Sequence, residues 1–142
     1  MRMDKLTNSL RSALGDAQSL ALGRDHPTIE PVHLLQAMLI DQNGVAQSLL
    51  RETGVSVSAL ASNLEGDMAR LPTISGDNGE IQTGPNLQRL LNRADKLAQR
   101  SKDSFISIDA VLRAMLDVKD PTADLLVRSG VTERALERAI QN

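Results

Sequence analysis

Residues Ile29–Leu39 read I-E-P-V-H-L-L-Q-A-M-L, and residues Ile106–Leu116 read I-S-I-D-A-V-L-R-A-M-L. The two stretches lie 77 positions apart and share Ile29/Ile106, Leu35/Leu112, Ala37/Ala114, Met38/Met115 and Leu39/Leu116. Upstream, the same offset matches Leu10 with Leu87, Leu14 with Leu91, Ala17 with Ala94, Leu20 with Leu97 and Ala21 with Ala98. Downstream the offset becomes 76, and Leu49, Leu50, Gly54, Val55, Ala59 and Leu60 meet Leu125, Leu126, Gly130, Val131, Ala135 and Leu136. A slip of one between helices is the trace of a loop deletion. Nearly the whole 142-residue chain is therefore one unit written twice.

Each copy reads as four helices. Thr7 is placed to cap the first, because its hydroxyl can take an orphan N–H of the first turn. Its repeat counterpart is Gly84, followed by Pro85 at the favoured first helical position. Leu10, Ala13, Leu14, Ala17, Leu20 and Ala21 follow the 3.6-residue period, and Gly23 is read as the stop. A second helix opens at Pro31 and buries Leu34, Leu35, Met38 and Leu39. The 41–44 segment is a turn, Val45–Arg51 a short third helix closed by Gly54, and Ser56 caps a fourth carrying Val57, Leu60, Ala61, Leu64 and Met68. Gly66 predicts a weak or bent last turn there. Residues 72–85, rich in Gly and Pro, read as a linker between a first repeat over 1–71 and a second over 86–142. The second repeats the plan with helices at 85–100, 108–116, near 122–128 and from Thr132. No segment alternates with period two, so the fold is predicted to be all-α, its core built in two linked halves. The chain runs out at Ile140-Gln141-Asn142 without a terminating signal, which points to a piece of a larger protein.

Composition narrows the function. Apolar residues make up 41%, Phe105 is the one aromatic, and cysteine is absent, so the core is aliphatic and thiolate chemistry is excluded. Phe105 reads as core. The net charge is −2, with four Lys and twelve Arg scattered among acids, which argues against a nucleic-acid surface. No apolar run approaches the eighteen or so residues of a membrane helix, and the N-terminus is no signal peptide. A soluble, cytoplasmic domain is expected, monomeric in isolation. His26 and His33 lack a ligand set around them and read as structural or exposed. Glu65 and Asp67 sit on a helix surface, so acid/base catalysis has no support. No phosphate-cradling G-x-x-x-x-G-K-[ST] occurs, and Gly76-Asp77-Asn78-Gly79 lacks its Lys and Ser/Thr, so the chain is not expected to hydrolyse ATP or to hold a cofactor or metal.

Thr7-Asn8 ahead of an amphipathic helix, Ala17-Gln18-Ser19-Leu20-Ala21, Ile29-Glu30-Pro31-Val32-His33-Leu34-Leu35 and Asp103-Ser104-Phe105-Ile106-Ser107 together resemble the N-terminal domain of the Clp/Hsp100 unfoldases. The likeness covers the whole chain and includes the duplication. The E-P-x-H-L-L and D-x-F-I-S phrasing is most similar to the ClpB branch of disaggregases. The resemblance implies an eight-helix domain with pseudo-twofold symmetry, mobile ahead of two ATP-hydrolysing modules in a hexamer. ATP and Mg belong to those modules, and cooperation with an Hsp70 system is implied with them. It also implies that unfolded or aggregated polypeptide is engaged in an apolar groove between the repeats, near the start of the first helix and the loop before the sixth. Thr7, Asp103 and Asp109 match polar positions tied to that role, Asp109 standing where the branch commonly carries Glu. Ala13, Leu90 and Ala110 are candidates for the groove wall.

Thr7 is explained as a cap, and Asp109, in a first helical turn, favours the helix dipole by roughly 0.3–1 kcal/mol without any ligand. A groove of aliphatic contacts without aromatic anchors implies weak affinity, on the order of micromolar or worse, raised by several tethered copies. Docking of a folded adaptor protein and regulation of the ATPase ring are the competing functions.

Overall fold

The computed structural model describes residues 3–74 and 81–142. The Gly76–Gly79 cluster and the middle of the expected linker lie outside the described residues. A short 3-10 turn over Met3–Lys5 leads into the first repeat, with α1 (Asn8–Gly23), α2 (Pro31–Ile40), α3 (Val45–Glu52) and α4 (Val57–Ala69). The second repeat carries α5 (Pro85–Arg100), α6 (Ile108–Asp117), α7 (Pro121–Arg128) and α8 (Glu133–Gln141). The caps follow the sequence. Thr7, Ser56 and Thr132 each accept from the N–H three residues on, and Pro85 and Pro31 open α5 and α2. Gly54 and Gly130, at φ 91° and 105°, close α3 and α7 in the left-handed conformation that side chains resist. Gly23 does not do the same for α1, since it is still helical. The left-handed residue is Asp25 at φ 58°, and its repeat counterpart Lys102 holds φ 59° after α5. α4 continues through Gly66 to Ala69, so the expected weak turn does not end it.

The repeats are tied by backbone that the helical period does not encode. β1 (Thr28–Ile29) and β2 (Gln82–Thr83) pair in parallel, Ile29 opposite Thr83, and an isolated bridge joins Leu6 to Ile106. Adding the repeat offset to Leu6 gives Thr83, and removing it from Ile106 gives Ile29. The two pairings are thus one contact made twice, with the repeats exchanged. Thr7 N–H donates to the Ile106 carbonyl at 3.0 Å, Ile106 N–H to the Lys5 carbonyl at 2.7 Å, and Gly84 N–H to the Ile29 carbonyl at 3.0 Å. The end of the expected linker is therefore pinned, and Ile74 N–H also donates to the Asp25 carbonyl at 2.8 Å. Gly84 is buried here, and a Cβ on it would overlap the Glu30 carboxylate that caps α2.

A second expectation fails usefully. The core is not two halves but one apolar cluster running from Leu6 to Ala139, because α3 packs on α6 and α8, and α4 on α7. Its residues are aliphatic, as expected. Phe105 is not among them: it is 53% exposed, in the tight segment between the left-handed Lys102 and the bridged Ile106.

Both histidines are buried and hydrogen-bonded to each other. Glu30 N–H donates to His33 Nδ1 at 2.8 Å, which leaves the His33 proton on Nε2, 2.8 Å from His26 Nδ1. His26 then has its remaining N–H for the Met68 backbone at the end of α4. This relay fixes three elements of the first repeat and is complete only with both rings neutral. Burial, then the neighbouring His26 and Arg24, lower the His33 pKa to about 4. Burial and Arg24 lower that of His26, opposed by the Asp25 carboxylate. The unfolded chain therefore binds more protons than the folded one below pH 6.5. Stability from this relay is full above pH 6.5 and falls as pH drops toward 4, by on the order of 3 kcal/mol at about 1.4 kcal/mol per pKa unit. Asp120, whose carboxyl burial pushes up, works in the opposite sense and offsets part of the loss. Chemical denaturation at stepped pH is expected to give a steep decline between pH 6.5 and 4 that flattens in His33→Asn, where the side-chain oxygen still accepts from Glu30.

Candidate functional site

The six positions singled out in the sequence divide into two groups. Thr7 is half-buried at the start of α1, its hydroxyl accepting from Leu10 N–H at 3.2 Å. The bridge between Leu6 and Ile106 brings this helix start against the loop that carries Asp103, so the expected proximity of the two is present. Asp103 is exposed, and Asp109, half-buried in the first turn of α6, accepts from the Ser107 hydroxyl. Ala13, Leu90 and Ala110 are different: at 5%, 0% and 4% exposure they are core residues. In this conformation Leu90 has no surface to offer to a groove, and the two alanines have almost none. They lie on the inward faces of α1, α5 and α6, which the apolar period marks equally for core and for groove.

The repeat explains why Asp103 is free at the surface. Its counterpart is His26, and that of Ala110 is His33. Where the first repeat buries a hydrogen-bonded pair, the second carries an exposed carboxylate and a buried methyl group, which can form no such bond. Both positions keep the same backbone bond, from His26 N–H to the Ala21 carbonyl and from Asp103 N–H to the Ala98 carbonyl.

An open groove of about 590 Å³ does lie between the repeats, but on other residues. Leu6, Ile29 and Thr83, three of the residues of the exchanged backbone pairings, are part of its lining. α1 contributes Arg11, Leu14 and Gln18 to one wall, and α5 contributes Leu87, Gln88 and Leu91 to the other. Leu14/Leu91, Arg11/Gln88 and Leu6/Thr83 are repeat counterparts, so the groove lies across the pseudo-twofold axis. None of the six sequence-derived positions lines it. The signal that points to it is Leu14, half-buried at the edge of the α1 stripe; its counterpart Leu91 is 8% exposed and belongs mainly to the core. Chemically the groove offers aliphatic contact with an Arg and amides at its rim, and no paired acid and base. Among the described residues no group of three or more His, Asp or Glu is arranged to hold a metal ion, and no helix is long and apolar enough to cross a membrane.

The Clp repeat (R) N-terminal domain family matches residues 5–141, and the chain belongs to that family. The chaperone protein ClpB of Pseudomonas putida is 46% identical over 142 residues, which cover 100% of this chain and 17% of that protein. The chain thus spans about a sixth of the length of this curated relative. The crystal structure of the Hsp104 N-terminal domain from Candida albicans matches with a TM-score of 0.84 at 19% identity, covering 95% of this chain and 88% of that one. A complex of a ClpV N-domain with VipB peptide matches with a TM-score of 0.75 at 20% identity, covering 96% and 85%. At these identities the structural likeness concerns the fold.

Thr7→Ala separates cap from contact. It is expected to lower the stability of the chain by about 1 kcal/mol, read by thermal or urea unfolding, because the Leu10 N–H loses its acceptor. Thr7→Ser is expected to restore it.

Proposed function

We propose that this chain is the polypeptide-capturing module of a ClpB-type disaggregase, and that the groove between α1 and α5 is where the client lies. The observation that carries the reading is the groove itself: an open trough at the junction of the repeats, part aliphatic and part polar, with Leu14 and Met3 accessible in it and no catalytic arrangement. Unfolded chains have no sequence in common, only exposed apolar side chains, and an aliphatic trough without aromatic anchors accepts such chains weakly and without selection. Single-site affinity is on the order of micromolar or worse. Capture is made effective by several copies tethered in a parent hexamer, whose AAA+ modules bind ATP and Mg and draw the client in, with an Hsp70 system working alongside in the cytoplasm. The ClpB relative and the chain's family membership support this assignment.

Docking of a dedicated partner is the second reading. It is favoured by the ClpV N-domain solved with VipB peptide, a complex of the same fold.

NMR titration of the 142-residue chain with a permanently unfolded protein, and with the same protein folded, distinguishes the two. Client capture predicts shifts at residues 11–18 and 87–92 with the unfolded protein alone, reduced at least fivefold in affinity by Leu14→Gln. Shifts confined to Thr7 and residues 103–110 would move the client to the α6 end. No shift at millimolar client would discard the capture reading.

A further inference from the structure

A second cavity, of about 700 Å³, lies wholly within the second repeat between α5, α6 and α8. Five arginines line it: Arg93 and Arg100 from α5, Arg113 from α6, Arg134 and Arg138 from α8. The duplication supplies an internal control for their purpose. The counterparts in the first repeat are Asp16, Gly23, Gln36, Ser58 and Ser62, with no arginine among them. The apolar residues beneath are the same in both repeats, Leu97, Leu116 and Leu136 answering to Leu20, Leu39 and Leu60. The packing of three helices needs those leucines in either repeat. It does not need Arg100, Arg134 or Arg138, none of which forms an ion pair between these helices among the described residues.

Two of the five are engaged. Arg93 pairs with Asp117 at 2.9 Å and Arg113 with Glu137 at 2.5 Å. Arg113 still keeps a buried Nε–H without an acceptor. Arg100, Arg134 and Arg138 form no ion pair or side-chain hydrogen bond among the described residues. Against Asp117, Glu133 and Glu137, the lining carries a charge of +2 on a chain whose net charge is −2. Donors exceed acceptors around a leucine floor, and guanidinium groups are suited to carboxylates through paired hydrogen bonds.

We propose that the α5/α6/α8 face docks an acidic, amphipathic segment of a partner polypeptide, at a site separate from the inter-repeat groove. Leu97 and Leu116, half-buried, receive its apolar side chains, and Arg100, Arg134 and Arg138 receive its carboxylates. A nucleic acid or other polyphosphate fits less well, because three carboxylates interrupt the cationic rim and the floor is apolar. The proposal does not rest on client capture in the first groove.

The probe is a fluorescein-labelled synthetic helix-forming peptide with Leu at i, i+3, i+4 and i+7 spacing and Glu on the flanking positions, with a Gln-for-Glu version and inorganic polyphosphate as comparisons. The chain is expected to bind the acidic peptide with an affinity that falls as salt rises, and to shift the amides of Leu97, Arg100, Leu116 and Leu136 but not those of Leu14 and Leu91. Arg134→Glu combined with Arg138→Glu, both at exposed positions, is expected to weaken binding at least tenfold with an unchanged melting temperature. Any of four results overturns the proposal: no binding at millimolar peptide, equal binding of the Gln version, polyphosphate binding as tightly as the peptide, or a double variant within twofold of the parent.

Discussion

Each repeat begins its first helix from a point fixed on the other repeat. Leu6 and Thr7 are held by Ile106, and Thr83 and Gly84 by Ile29, in two parallel pairings that exchange under the repeat offset. The bonds are few, and each contributes only about 1 kcal/mol net. Their importance is positional. α1 and α5 set off from these points, their inward stripes merge into one core, and Leu6, Ile29 and Thr83 of the pairings also line the groove to which both helices contribute. Released from this exchange, each set of four helices would expose the stripe that its neighbour now covers.

The helices were legible because their signals are local. Apolar spacing, a capping Thr or Ser, Pro at the first position and Gly past the end all act within a few residues, and the duplication checks each reading against its counterpart. The exchanged pairings were not legible, since two residues of extended chain carry no period. Phe105 was misread for a related reason. Its hydrophobicity favours burial, but its direction is set by the left-handed turn before it and the bridge after it, and these leave the ring outside. The site was only partly legible. Thr7, Asp103 and Asp109 were named as polar site positions; the Leu6–Ile106 bridge brings the start of α1 against the loop of Asp103, but none of the three lines the groove. Leu90 and Ala110 were taken for groove wall because the apolar period cannot tell the middle of a stripe from its edge. Leu14, at the edge, was read as core alone.

The repeats agree where packing demands it and differ where it does not. The buried leucines, the glycines at Gly54 and Gly130 and the left-handed residues Asp25 and Lys102 recur. The polar positions do not: the buried histidine relay of the first repeat corresponds to an exposed Asp103 and an alanine in the second, and the five arginines of the second correspond to Asp16, Gly23, Gln36, Ser58 and Ser62 of the first. A duplicated fold can hold its scaffold twice while each copy takes a different surface chemistry, and here the second copy has taken the cationic one.

The exchanged pairings hold the two repeats in register as one cooperative unit. Native-state hydrogen exchange tests it most directly. The amides of Thr7, Gly84 and Ile106 are predicted to open with the same free energy and denaturant dependence as the core amides of α2 and α6, in a single global event. If these three amides exchange by a lower-energy opening while both helices stay protected, or if one repeat opens before the other, the interlock is not what holds the fold together.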